Sequence, residues 1–361
     1  MNIDNLSLKE RIGQRFIVGI NNENVDDVIK LVKDTYIGGV ILYKKNYHDY
    51  KEMITLIKKI KEANKENKIP LFIAIDEEGG KVNRLPSEIH NLKNIYDVSK
   101  YDISLVVDYA NIIGRILQKS GINMNLAPVV DMDNGSSARS LFKRCFYGEE
   151  DKIIEAANKY LTGLNNMVIP VIKHYPGHGL TTKDTHFIVP YIANLNKLNR
   201  HIKPFNELIK KDIDALMVGH LVIRKLTNLL PASISNKFLE KLRKDYHGLI
   251  ITDEINMLRR QLFYHFMYVN KALKASSDII LVKIKDTNEY AKIVKKYMNI
   301  LEKDNKYQNK LDASIKRIIK VKEKYQISDN TNILGIDIKE INKEIDELNE
   351  KNYTYRIKTN W

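Results

Sequence analysis

The segment Lys173-His174-Tyr175-Pro176-Gly177-His178-Gly179, continued by Asp184-Thr185-His186, gathers three imidazoles, a lysine and a carboxylate into one short stretch. It directly follows the apolar run 167–172. A buried strand that ends in ionisable groups presents them on a rigid support. Asp184 and His186 stand two residues apart. A carboxylate bonded to an imidazole orients the ring, fixes its tautomer and raises its basicity, so that one histidine can donate a proton and later accept one. Asp253, at the end of another apolar run, could act as a nucleophile or stabilise developing positive charge. One carboxylate and one proton-transfer group are the minimum equipment for retaining glycoside hydrolysis. No Gly-x-Ser-x-Gly elbow is present, which counts against a serine hydrolase. His174, His178, His186 and Asp184 match neither the His-Glu-x-x-His nor the zinc-finger spacing. No metal and no cofactor is therefore expected.

Eight apolar runs must position these groups: residues 16–20, 39–43, 71–75, 124–130, 168–173, 215–219, 249–252 and 278–282. Several are continuous and β-branched, as strands buried on both faces require. The segments between them show helical periodicity, for example 151–164 and 236–246, with Ser235 placed to cap the latter. Strand alternating with helix about eight times predicts an α/β fold, a (β/α)₈ TIM-type barrel, over an open doubly wound sheet. No Gly-x-Gly-x-x-Gly follows the first strand, which also counts against a dinucleotide fold. A single catalytic domain is expected over residues 1–325. Its last helix would span 311–325, with Asp312 near the start. Residues 326–361 form a short helical tail, with an amphipathic helix at 339–351, too short for its own core. The tail is expected to pack on the barrel or on a neighbouring subunit.

In a barrel, reactive groups belong at the C-terminal strand ends. Asp76-Glu77-Glu78-Gly79-Gly80 and Arg84 follow the third run, Asp131 ends the fourth, and Arg144 lies beyond a long loop. Lys173-His174 end the fifth run, His220 the sixth, and Asp253-Glu254 the seventh. Each has a plainer alternative. Asp253 could cap the next helix, Asp76 could pair with Arg84, His178 could brace its loop, and Glu78 and Glu254 could support theirs. Strand alternation points Glu254 away from Asp253.

Composition narrows the classes. The net charge of +14 comes mostly from lysines scattered over helical segments, without an arginine-rich arm. It reads as a solvated surface and not as a nucleic-acid site. No apolar stretch reaches the roughly 20 residues of a membrane helix, and the N-terminus lacks a signal-peptide profile. The single Cys145 suits a reducing compartment. A cytoplasmic protein acting on a small molecule, as monomer or dimer and without membrane or nucleic-acid partners, is expected.

Residues 173–186 resemble the Lys-His-Phe-Pro-Gly-His-Gly…Asp-Ser-His signature of glycoside hydrolase family 3, in its single-domain β-N-acetylglucosaminidase branch. Other segments are similar in the same order. Leu8-Lys9-Glu10-Arg11-Ile12-Gly13-Gln14 looks like the opening helix, and 76–84 like Asp-x-Glu-Gly-Gly-x-Val-x-Arg. Residues 123–131 look like Asn-Phe-Ala-Pro-Val-x-Asp, Pro231-Ala232-Ser233-Ile234-Ser235 like Pro-Ala-Ser-Leu-Ser, and 248–257 like Gly-x-x-x-Thr-Asp-x-x-x-Met. The resemblance covers about residues 6–325. It implies Asp253 as nucleophile forming a covalent glycosyl-enzyme, and His186, oriented by Asp184, as general acid and then base. It also implies that Asp76, Arg84, Arg144, Lys173 and His174 hold the hydroxyls and N-acetyl group of a terminal GlcNAc, in muropeptides or chitooligosaccharides. Arg139 is the neighbouring alternative to Arg144. A retaining phosphorylase, or a GlcNAc-binding protein with weak catalysis, remains the alternative. The chain departs from the pattern at Leu180, where an acidic residue is usual. It also carries one extra residue between Arg144 and Gly148, and Leu258-Arg259-Arg260 after Met257.

Overall fold

In the computed structural model, which describes residues 3–20, 25–133, 141–181, 189–260, 265–284, 287–301 and 304–359, the apolar runs become eight parallel strands. These are β1 (Phe16–Ile20), β2 (Gly39–Leu42), β3 (Phe72–Ile75), β4 (Met124–Asn125), β5 (Ile169–Tyr175), β6 (Ala215–Val218), β7 (Leu249–Thr252) and β8 (Ile280–Ile284). Each pairs in parallel with the next, and β8 pairs with β1. The ring closes between β7 and β8 through an Ile251–Ile279 bridge, where the Thr252 N–H donates to the Ile279 carbonyl at 3.0 Å. Every residue of β2, β3, β6 and β7 is buried. Strands covered by helices outside and side chains inside can be apolar on both faces, so the runs lack alternation. The architecture is the (β/α)₈ barrel that the strand–helix alternation predicts.

β4 is the shortest barrel strand because Pro128 has no N–H to offer a ladder. Beyond β4 the chain stays on β5, accepting from Val171 N–H at Ala127 O (3.1 Å) and from Lys173 N–H at Pro128 O (3.2 Å), and donating from Val130 N–H to Lys173 O at 2.8 Å. β8 starts two residues later than its apolar run. Asp278, at the start of that run, is instead a fully buried anchor for Arg243 at 2.6 Å and Arg317 at 2.8 Å. The last barrel helix, Asn305–Lys324, begins six residues before the expected 311. Asp304 caps it by accepting from Lys306 N–H at 2.9 Å, whereas Asp312 lies inside the helix and pairs with Arg11. Ser235 caps Asn236–Asp245 as its position suggests.

The N-terminal end of the barrel is plugged by two buried cations. Arg15 donates to the carbonyls of Leu273, Ser277 and Asp278 and to the Tyr297 hydroxyl. Lys322 donates to Gln14 Oε1 at 2.8 Å, Gly38 O at 3.1 Å and Pro70 O at 2.6 Å, with Nζ 4.3 Å from the Phe72 ring centroid. Burial lowers the Lys322 pKa to about 7, since the nearby Asp329 offsets only part of the desolvation.

The tail forms the helix Ile338–Thr359, longer than its amphipathic 339–351 core. It packs on the helices Ile95–Tyr101 and Leu105–Lys119. Ile341, Ile345 and Leu348 are buried at that contact, each contributing roughly 1.5–3 kcal/mol. Glu344 pairs with Arg115 beside them. No helix among the described residues is long and apolar enough to cross a membrane.

Candidate active site

After β3 the chain must turn sharply and still present charges to the barrel mouth. Glu77 organises that turn: its carboxylate accepts the N–H groups of Gly79 (3.1 Å), Arg84 (2.8 Å) and Leu85 (3.3 Å). Asn125 on β4 accepts from Glu77 N–H at 3.0 Å and donates to Glu77 O at 2.8 Å. Gly79 has φ +73°, and a Cβ there would stand 1.9 Å from the Tyr109 hydroxyl. That hydroxyl donates to Glu78 O at 2.7 Å. Only glycine satisfies both the backbone conformation and the close approach.

The wound loop delivers Asp76 and Glu78 to Lys173 on β5. Lys173 Nζ lies 2.8 Å from Asp76 Oδ1 and 2.7 Å from Glu78 Oε1. Glu78 in turn holds Arg144 with two contacts, Nε at 2.8 Å and Nη2 at 2.7 Å. Burial pushes the Glu78 pKa up, but the Lys173 and Arg144 charges outweigh it and hold the carboxyl down to about 2. The two cations are thereby fixed at a water-poor wall without an unpaired buried charge.

Asp131, fully buried, plays the same part for the next residues. Its carboxylate accepts from His174 Nδ1 at 2.7 Å, His174 N–H at 3.1 Å and His178 N–H at 2.6 Å. Because an anionic oxygen accepts from Nδ1, that nitrogen bears the proton, and Nε2 is the atom left for a ligand. The His178 ring lies edge-on to His174 with centroids 5.9 Å apart. Gly177 has φ +121°, and at Gly179 a Cβ would fall 1.8 Å from Met132 O, so the two glycines serve different steric needs. Leu180, the departure from the acidic pattern, packs against the core.

At the end of β7, Asp253 Oδ1 accepts the Glu254 N–H at 2.8 Å. Oδ2 accepts no hydrogen bond among the described residues. Burial raises the Asp253 pKa, but the His220 and His174 imidazoles and the Glu254 amide reverse the shift, so it lies below the ordinary aspartate value. His220 sits behind, bonded to Ser233 Oγ at 2.6 Å and Glu254 O at 2.9 Å. Glu254 does not point away from Asp253. Both line one cavity, because β7 ends at Thr252 and strand alternation no longer applies. Lys283 on β8 pairs with Glu254 at 2.8 Å.

Asp76, Arg84, Arg144, Lys173, His174 and Asp253 all line this cavity of about 590 Å³, with Ile41, Leu126, Met217 and Leu281 among its apolar surfaces. The size suits a small ligand held by a few polar groups. Arg84 makes no side-chain ion pair among the described residues, so its guanidinium is available to a ligand. Asp184 and His186 lie outside the described residues, as does Arg139. Two organising residues were visible in sequence but carried no assigned role, Glu77 and Asp131. Each stood at an expected strand end, yet apart from the His174 ring on Asp131 their partners are backbone amides that no side-chain pattern reveals. Glu78 was legible as a support; its spacing two residues from Asp76 is the signal that both could meet one cation.

The profile described as "Glycosyl hydrolase family 3 N terminal domain" matches residues 7–321. A beta-hexosaminidase of Photobacterium profundum is 30% identical over 235 residues, covering 63% of this chain and 69% of that protein. A beta-hexosaminidase of Histophilus somni is 28% identical over 269 residues, covering 70% and 75%. Among solved structures, a glycoside hydrolase family 3 beta-N-acetylglucosaminidase from a Paenibacillus species superposes with TM-score 0.85 at 27% identity, over 96% of this chain and 69% of that one.

Proposed function

The chain belongs to glycoside hydrolase family 3, and from that premise we propose that it is a retaining exo-β-N-acetylglucosaminidase releasing terminal GlcNAc from muropeptides or chitooligosaccharides. Asp253 attacks the anomeric carbon while His186, oriented by Asp184, protonates the departing oxygen. The same histidine then activates water, which hydrolyses the glycosyl-enzyme with net retention. Asp76, Arg84, Arg144, Lys173 and His174 grip the sugar hydroxyls and N-acetyl group. Lys173 suits that task because Asp76 and Glu78 fix its Nζ, so little side-chain entropy is lost on binding.

One observation carries the reading. The Asp253 carboxylate has one oxygen held by a backbone amide and lines the cavity in which the five polar side chains meet. An anionic carboxylate below its ordinary pKa is ready as a nucleophile at neutral pH. The names of the relatives support the choice of an N-acetylhexosamine as the sugar. A cytoplasmic setting accords with the lone, buried Cys145.

The test is turnover of a β-GlcNAc aryl glycoside by the wild type and by Asp253→Ala, with and without phosphate. The wild type should release free GlcNAc, and the variant should lose all measurable turnover. Retained activity in Asp253→Ala would remove the mechanism, and a sugar 1-phosphate product would replace hydrolysis by phosphorolysis.

A further inference from the structure

The tail helix makes a specific set of polar contacts with residues 88–93, the segment that follows the loop bearing Asp76 and Arg84. Asn342, Asp346 and Asn349 stand at positions i, i+4 and i+7, on one face of the helix. Asn342 accepts the His90 N–H at 2.8 Å and donates to Glu88 O at 2.8 Å. Asn349 repeats the arrangement one step along: it accepts the Lys93 N–H at 2.9 Å and donates to Asn91 O at 3.1 Å. Between them, Asp346 pairs with the His90 imidazole at 2.9 Å. Each amide thus satisfies the carbonyl and the N–H of two residues spaced two apart in the segment 88–93.

The clamped segment is wired to the sugar-binding loop. Gly80 N–H donates to Leu92 O at 2.9 Å, and Asn91 Nδ2 donates to Gly80 O at 2.7 Å. Gly80, at φ +57°, stands four residues after Asp76 and four before Arg84. A Cβ on it would meet Asn94 at 2.7 Å, so the loop and the 91–94 segment are in direct contact. The family match ends at residue 321, so the helix lies outside it.

We propose that Asn342 and Asn349 are positioning residues, through which the C-terminal helix holds residues 88–93 against Gly80 and so fixes the loop that presents Asp76 and Arg84. Without the clamp, the loop samples other conformations and the binding-competent fraction falls, which raises the apparent substrate dissociation constant by the inverse of that fraction. Arg84 depends most on the clamp, since no ion pair among the described residues holds its guanidinium. Asp76 is also held by Lys173 and depends on it less.

The sugar part of this inference rests on the proposed glycosidase activity, so the test has two independent arms. In the first, amide hydrogen exchange is followed over residues 78–85 in the full chain and in Asn342→Ala/Asn349→Ala. In the second, KM and kcat are measured with a β-GlcNAc aryl glycoside. The double variant should exchange at least about tenfold faster over 78–85, with barrel strands unchanged. Its KM should rise about tenfold, with kcat within about twofold. Glu344→Ala loosens the same helix at Arg115 without touching the loop, and should leave both readouts at wild-type values. Unchanged exchange over 78–85 in the double variant would overturn the proposal, as would equal effects from Glu344→Ala. If the wild type shows no turnover, the glycosidase reading fails, and the exchange arm alone still decides whether the clamp exists.

Discussion

Replacing Glu78 by glutamine should cost about 3 kcal/mol of folding stability, and the cost should vanish in acid. Glu78 is buried between Lys173 and Arg144, with contacts of 2.7 Å to each. Its folded pKa of about 2 lies below the reference value of 4.5. A depressed carboxylate stabilises the fold above its unfolded pKa, and this is lost as pH falls toward the folded one. The difference between the two values corresponds to about 3 kcal/mol near neutrality at about 1.4 kcal/mol per unit. A second route agrees, since removing one partner of a buried ion pair costs about 3–5 kcal/mol. Glutamine keeps the shape and removes the carboxylate that Lys173 and Arg144 share, leaving Asp76 beside Lys173. Urea unfolding of wild type and variant between about pH 7 and pH 3 measures the difference. It should be about 3 kcal/mol at pH 7, about 1 kcal/mol smaller at pH 4 and about 2 kcal/mol smaller at pH 3. A difference below about 1 kcal/mol at pH 7, or one that does not change with pH, would refute the reasoning. The variant should also bind substrate more weakly, because Lys173 and Arg144 lose their common anchor.

Three further outcomes follow from the same contacts. Asp131→Asn should lower kcat/KM at least about tenfold and destabilise by roughly 2–3 kcal/mol, because an amide nitrogen would face N–H donors of His174 or His178; equal kinetics and equal melting temperature would contradict the organising role. Lys322 has a folded pKa of about 7 against 10.5 for a free lysine, so stability should rise between about pH 7 and pH 10, by at most about 1.4 kcal/mol per pH unit. Lys322→Met should flatten that slope in denaturation curves, and an unchanged slope would assign it elsewhere. Cys145 is fully buried, and burial drives its thiol pKa far above the usual value. It should stay inert to a thiol reagent until denaturant is added, and rapid modification of the native chain would contradict its placement.

Much of this was legible because the barrel imposes simple demands. Continuous runs such as Leu249–Thr252 read as strands since both faces are covered, and five ionisable strand ends followed from chain direction alone. The boundaries were harder. Asn305–Lys310 contributes little apolar periodicity, so the last helix reads as starting at 311, although it starts six residues earlier at Asn305, capped by Asp304. Glu254 was misdirected by alternation because the strand stops two residues before it. Glu77 and Asp131 bind backbone amides, and Asp131 reaches residues more than forty positions away. Such partners are fixed by tertiary closure and leave no local pattern. The clamp by Asn342 and Asn349 was hidden for the same reason: on a charged helix, two asparagines look like solvated polar residues until their face is known.

Asp253 is proposed to carry the sugar during turnover. Rapid quenching with a slowly deglycosylated β-GlcNAc substrate, followed by peptide mass spectrometry, tests it directly. One N-acetylhexosamine adduct is expected on the peptide containing Asp253, transient in the wild type and absent in Asp253→Ala. An adduct on another residue, or turnover with an inverted first-formed anomer, would contradict it.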